Sequence, residues 1–238
     1  MATFVIVHGG WGGGWEWRSV TDALIAMGHR SFAPTLTGLG ERSHLVSRSI
    51  GLATHAEDVV QVIRWERASD VLLVGHSYGG MVTTAAASKA PDLVKGMIYG
   101  DAFIPEDGQC ESDLIDPSWV ESMLLTPALD RGDGWLVPFP FPDELDGYPP
   151  EVADRYRGSM HPLATLTDPA AVDPRVALLP SAFIHCTAKA PDEDMFAGFA
   201  QGARQRGWPV VEIQSGHDVQ IERPDAVANA LHDLSAPM

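Results

Sequence analysis

The run Val71-Leu72-Leu73-Val74-Gly75-His76-Ser77-Tyr78-Gly79-Gly80-Met81-Val82 constrains this chain more than any other stretch. An apolar run suited to a buried strand leads into Gly75-His76-Ser77-Tyr78-Gly79, and residues 81–87 then tolerate a helix. A serine between two glycines, set between strand and helix, is the pattern of a tight turn that lifts a nucleophile above a sheet. The reason is steric. The turn forces Ser77 into a sparsely allowed backbone region, and a side chain at 75 or 79 would strike the neighbouring strand or helix. Ser77 Oγ is then expected at a helix N-terminus, where peptide dipoles favour developing negative charge.

The 238 residues suffice for one α/β domain with a full core. Thirty-two acidic against sixteen basic side chains leave a formal charge of −16. That charge repels nucleic acid and anionic membrane surfaces, so neither is an expected partner. Cys110 and Cys186 form no metal or disulfide pattern, and Cys186 in its apolar run reads as a buried thiol. A strand begins almost at the N-terminus, with no basic or long apolar stretch before it, and no segment reaches the length of a membrane span. The expectation is a water-soluble, cytoplasmic protein.

Residues 4–7 form the first predicted strand and run into His8-Gly9-Gly10-Trp11-Gly12-Gly13-Gly14-Trp15. Glycines directly after a buried strand let the backbone approach a ligand closely. With Ser77 as nucleophile, Gly10 and Tyr78 are the expected N–H donors of an oxyanion hole, with Trp11 the alternative to Gly10. Trp17, Val20, Leu24 and Met27 mark a helix face that ends before Gly28. Residues 31–33 read as a strand. Thr54 and Glu57 read as the capping box of a helix whose inner face is Ala56, Val59, Val60 and Ile63.

A strand over 93–99 leads into Gly100-Asp101-Ala102-Phe103-Ile104-Pro105. Over 106–174 the periodicity fades, prolines and glycines are frequent and aromatic residues recur, with short helices expected over 118–125 and 151–158. This stretch reads as a lid inserted into an α/β core of residues 1–105 and 175–238. Regular order resumes with a strand over 181–186, a helix carrying Phe196, Phe199, Ala200 and Ala203, a strand over 209–213 and a last helix opened by Pro224. The fold class is α/β: a mostly parallel six-stranded sheet with helices on both faces.

Serine becomes a nucleophile when a base removes its proton, and nine histidines compete for that role. His217, in Ser215-Gly216-His217-Asp218, lies between the last predicted strand and the last helix, on the rim that carries Ser77. His76 points away from Oγ inside the elbow. His185 in a strand and His232 in the terminal helix suit structural roles, as does His8 in shaping the glycine loop. His161 is a lid residue that can line the pocket.

The stretches VHGGWGGGWEW, PTLTGLGERSHL, VGHSYGGMV, YGDAFIPEDGQ and SGHDV span most of the chain outside the lid. Together they resemble the α/β-hydrolase group that contains plant methylesterases, hydroxynitrile lyases and bacterial pyrethroid-type carboxylesterases. The resemblance implies a triad in the chain order serine, acid, histidine, an oxyanion hole after the first strand and a lid-covered ester pocket. No cofactor and no metal is expected. Members of the group are often dimers, which leaves a homodimer open.

One departure bears on the acid. In the methylesterase branch the acid lies a few residues past a Cys-Thr pair, and an ungapped match puts Lys189 there. Asp192 and Asp194 are the nearby alternatives, although Pro191-Asp192-Glu193 reads as the opening of a helix. Asp101 is the foremost candidate. It follows the strand beside the elbow strand in an apolar setting, where a carboxylate needs a cationic or hydrogen-bonding partner. Certain haloalkane dehalogenases and lipases are similar in placing their acid there. Asp218, adjacent to His217, is too local to orient its ring.

The expected chemistry is transfer of an acyl group from an ester, thioester or lactone to water by Ser77, His217 and Asp101. Trp11, Trp119, Trp135 and Met160 are the expected substrate-binding residues, which favours a small apolar or aromatic substrate; packing of the same aromatics onto the core is the alternative. The rival reading is a ligand-binding protein without catalysis on the same scaffold. Lyase chemistry is disfavoured, because Gly9 and Asp218 stand where that branch has a hydroxyl-bearing residue and a lysine.

Overall fold

The computed structural model describes residues 1–190 and 194–238. Strands and helices alternate from the N-terminus: β1 (Thr3–Val7), α1 (Arg18–Ala26), β2 (Arg30–Phe32), α2 (Leu52–Trp65), β3 (Val71–Ser77), α3 (Gly79–Lys89) and β4 (Val94–Ala102). The next stretch is built of short pieces: α4 (Pro117–Trp119), α5 (Thr126–Arg131), β5 (Leu136–Pro138), α6 (Pro150–Tyr156), β6 (Met160–Pro162) and α7 (Leu163–Thr167). Alternation returns with β7 (Ser181–Cys186), α8 (Ala197–Gln205), β8 (Val210–Ile213), α9 (Val219–Glu222) and α10 (Pro224–Ser235).

The main sheet has six strands in the order β2-β1-β3-β4-β7-β8, parallel at every pairing. Side chains alternate along each strand, so one sheet makes two apolar layers. Val5, Val7, Leu73, Met97 and Phe183 pack on one side with α2, α3 and α8. Phe4, Ile6, Leu72, Val74 and Ile98 pack on the other with α1 and α10. Burying each such aliphatic or aromatic side chain contributes roughly 1.5–3 kcal/mol before entropy is counted. Because β2 lies to one side of β1 and β3 to the other, the loops after β1 and β3 diverge at a crevice over their carboxyl ends. Open α/β sheets place ligands at such a point.

The capping box expected at Thr54 and Glu57 is not used. The helix α2 starts earlier, at Leu52 after Gly51, so both residues fall inside it. Leu52 N–H donates instead to Asp168 Oδ2 at 3.3 Å, and Glu57 pairs with Lys89 across to α3. A tertiary carboxylate has replaced the local one.

Within 106–174, β5 and β6 pair antiparallel as a separate two-stranded sheet. Buried Val137, Leu145 and Leu166 of this segment join the same apolar cluster as α2 and α3, so the segment packs onto the main core. Among the described residues no helix is long and apolar enough to cross a membrane.

Candidate active site

The turn after β3 has the strain expected of it. Ser77 has φ of +54°, a left-handed conformation costly for a residue with a Cβ. A Cβ at Gly75 would lie 2.5 Å from Gly79 O and 2.6 Å from Thr83 Oγ1, and one at Gly79 would strike Val7 O. Both glycines are therefore dictated by the close approach of β3, α3 and β1. Asp101, near the end of β4, has φ of +45°, and Trp11, after β1, has φ of +59°. Among the described residues, three of the six non-glycine residues with positive φ thus cluster at the carboxyl ends of adjacent strands.

Asp101 is fully buried, and its carboxylate accepts three hydrogen bonds. Oδ1 accepts from Cys186 N–H at 3.1 Å, while Oδ2 accepts from Lys189 Nζ at 2.6 Å and His217 Nδ1 at 2.8 Å. Burial alone would raise its pKa, but His217 and Lys189 hold it below the usual carboxylate range. His217 shows the opposite balance. Burial disfavours its charged form, yet the hydrogen bond and charge of Asp101 carry its pKa above the ordinary value. Because Nδ1–H is committed to Asp101, Nε2 is left as the proton acceptor.

Neighbours fix the ring. His76 Nε2–H donates to His217 O at 2.9 Å, and Phe196 stacks on the imidazole at 4.9 Å and 3°. His76, which the sequence reading only turned away from Oγ, therefore supports the His217 loop. Among the described residues Ser77 Oγ makes no hydrogen bond; serine–histidine contacts are commonly long until substrate is bound.

The glycine loop after β1 is held by three buried side chains. His8 donates through Nδ1 to Gly9 O at 2.7 Å and accepts Leu36 N–H through Nε2. Glu16 Oε1 accepts Gly13 N–H at 3.0 Å, and burial, then the Asp218 charge, push its pKa up to about 8. His161, from β6, accepts Trp11 N–H at 3.1 Å. That bond occupies the N–H of Trp11, the alternative to Gly10 as an oxyanion donor. Tyr78 is buried, and its hydroxyl bonds His55 Nδ1 at 2.8 Å.

The residues expected to bind substrate are dispersed. The Trp11 ring is buried, its Nε1–H donating to Val137 O at 2.7 Å in β5. Trp119 packs on Phe141, and Trp135 lies under the Arg48 guanidinium at 4.9 Å. Met160 and Trp11 line a surface cleft of about 950 Å³ with Trp15, Arg18, Glu41 and Arg155, and none of Ser77, Asp101 and His217 borders it. Of the alternative acids, Asp194 accepts from His185 Nε2 at 2.7 Å and Lys189 at 3.1 Å and makes no bond to His217. Asp192 lies outside the described residues.

Sequence reasoning gave Lys189 and Glu16 no part in the site, and it read His161 as a lid residue able to line the pocket, where the structure has it accepting Trp11 N–H. Lys189 carried a signal, standing where the resemblance to the methylesterase branch puts an acid; Glu16, inside the Gly-Trp-Glu-Trp run, gave none that separates it from a surface carboxylate.

The model of the alpha/beta hydrolase family matches residues 4–230. Over 251 aligned residues the chain is 36% identical to the carbendazim hydrolyzing esterase of Nocardioides sp. strain SG-4G, covering 98% of this chain and 100% of that one. It is 25% identical over 256 residues to the pyrethroid hydrolase of Sphingobium wenxiniae, covering 99% and 88% of the two chains. Among solved structures it is similar to an extracellular alpha/beta-hydrolase from a Paenibacillus species, described as sharing structural and functional homology with tobacco salicylic acid-binding protein 2. That match has a TM-score of 0.82 at 22% identity, covering 98% of this chain and 99% of the other.

The chain belongs to the alpha/beta hydrolase family. With esterase and hydrolase relatives along its whole length, it is a carboxylesterase-type hydrolase.

Proposed function

We propose that Ser77, His217 and Asp101 form the catalytic triad of an esterase for small, apolar or aromatic esters. The observation that carries this reading is the 2.8 Å bond from His217 Nδ1 to buried Asp101, on the rim where Ser77 emerges from its strained turn. Ser77 Oγ attacks the ester carbonyl carbon while His217 Nε2 takes its proton. Asp101 stabilises the imidazolium, and the N–H groups of Gly10 and Tyr78 receive the oxyanion. The imidazolium returns the proton to the leaving alkoxide, and His217 then activates a water that releases the acid. Thioesters and lactones suit the same machinery.

The segment 106–174 acts as a lid over this rim, pinned to the glycine loop through Val137 O and His161 and to the His217 loop through Tyr148. The relative named for hydrolysing carbendazim makes that compound, an aromatic methyl carbamate, the first specific substrate to try.

The test compares hydrolysis of p-nitrophenyl acetate by wild type, Ser77→Ala, Asp101→Asn and Asp194→Asn. In another serine hydrolase, loss of the triad aspartate cost about 10⁴ in rate. A fall of that order is expected for Asp101→Asn, with Asp194→Asn staying within about tenfold. Full turnover by Asp101→Asn removes it from the triad, and full turnover by Ser77→Ala removes the whole mechanism.

A further inference from the structure

Lys189 lies in the turn after β7 with its side chain 14% exposed. Its ammonium donates to Asp101 Oδ2 at 2.6 Å and reaches Asp194 Oδ1 at 3.1 Å. It also sits 5.2 Å from the centre of the Phe196 ring, the ring that stacks on His217. The lysine therefore shares one carboxylate oxygen with the histidine. Because Lys189 bonds both Asp101 and Asp194, a positive charge is built into the chain at that point.

We propose that Lys189 is a positioning residue and resident counter-cation of Asp101: by competing with His217 for Oδ2 it weakens the hold on the protonated imidazole and extends ester turnover to lower pH. The inference rests on Asp101 being the acid of the triad. Among the described residues the charged or titratable groups facing His217 are Asp101 from β4, His76 from β3, Lys189 after β7 and Asp218 beside it. Burial, followed by Lys189, works against the imidazolium; Asp101 and Asp218 favour it and prevail. A general base acts only when neutral. A cation on Asp101 thus widens the pH range in which His217 is ready, while two donors on one oxygen keep the carboxylate aimed.

The experiment is the pH profile of kcat/KM for p-nitrophenyl acetate with wild type, Lys189→Met and Lys189→Arg. In Lys189→Met the midpoint of the acid limb is expected to move up by about one unit. At a pH one unit below the wild-type midpoint, its rate falls about tenfold further than that of wild type. Lys189→Arg, which keeps the charge, restores the midpoint. A purely structural lysine would lower the rate at every pH and leave the midpoint in place, and that result overturns the proposal.

The titration of the His217 imidazole by NMR in the Ser77→Ala background gives the same answer without catalysis. Should Lys189→Met not fold, Asp194→Asn supplies the second variant: it frees Lys189 for Asp101 and moves the midpoint down, and an unmoved or raised midpoint counts against the proposal. The triad reading is tested apart from this by Asp101→Asn. An inactive Asp101→Asn beside an unmoved Lys189→Met midpoint refutes the lysine's role alone.

Discussion

Glu16 is a buried acid that the proposed chemistry does not consume, and its charge state has a consequence for stability. Burial, then Asp218, raises its pKa from an ordinary 4.5 to about 8 in the folded protein. Between those values the folded chain holds a proton that the unfolded chain has lost. Stability therefore falls as pH rises through this window and levels off above it. Glu16→Gln stays neutral and keeps an oxygen to accept Gly13 N–H. Its stability relative to wild type is expected to rise by about 2–4 kcal/mol between about pH 5 and pH 8, read by urea unfolding at each pH. A difference that does not change with pH would mean that Glu16 is ionised in the fold. The residues legible in the sequence were those with local signals: Ser77 between its glycines, His217 in its loop and Asp101 after an apolar strand. The roles of Glu16 and Lys189 were not legible, because the partners that bury the one and charge-pair the other are remote. Gln220 lies 204 residues from Glu16, and Asp101 lies 88 residues from Lys189.

At the scale of elements, strands and long helices followed from periodicity, because each buries one face or two against the sheet. The start of α2 did not follow, because its first turn is satisfied across the fold. Leu52 N–H donates to Asp168 Oδ2, 116 residues away, and a carboxylate there also meets the positive end of the helix dipole. Asp168→Ala is expected to cost about 1 kcal/mol in urea unfolding, the size of a lost N-terminal cap. Thr54→Ala, the change that a local capping box would make costly, is expected to cost less than half of that. The reverse order would restore the local cap. The short pieces of 106–174 resisted reading for a related reason. Some of their apolar residues meet α2 and α3 and others, such as Trp119, Phe139 and Phe141, meet one another across short pieces, so no single period develops.

Across the whole molecule, hydrogen bonds among the described residues tie the segment 106–174 to the rim of the sheet on two sides of the proposed triad. On one side Trp11 and His161 tie it to the glycine loop; on the other Tyr148 O–H donates to Asp218 Oδ2 at 2.6 Å, next to His217. On the proposed reading of this segment as a lid, one of these ties must release to admit substrate, and lid opening can limit turnover. The Tyr148 clamp is the more exposed of the two, since both bonds at Trp11 are buried. A hydrogen bond to a charged group is worth about 1.5–3 kcal/mol. Tyr148→Phe removes that bond and keeps the ring. Amide hydrogen exchange in β5 and β6 should then quicken by about tenfold or more, while exchange in β1 and β3 is unchanged. Opening through this end predicts a faster approach to saturation by substrate with little change in the chemical step. Equal exchange in both proteins would place the hinge of the lid at the Tyr148 end and its opening edge at Trp11, where His161 binds the backbone of the loop proposed to hold the oxyanion.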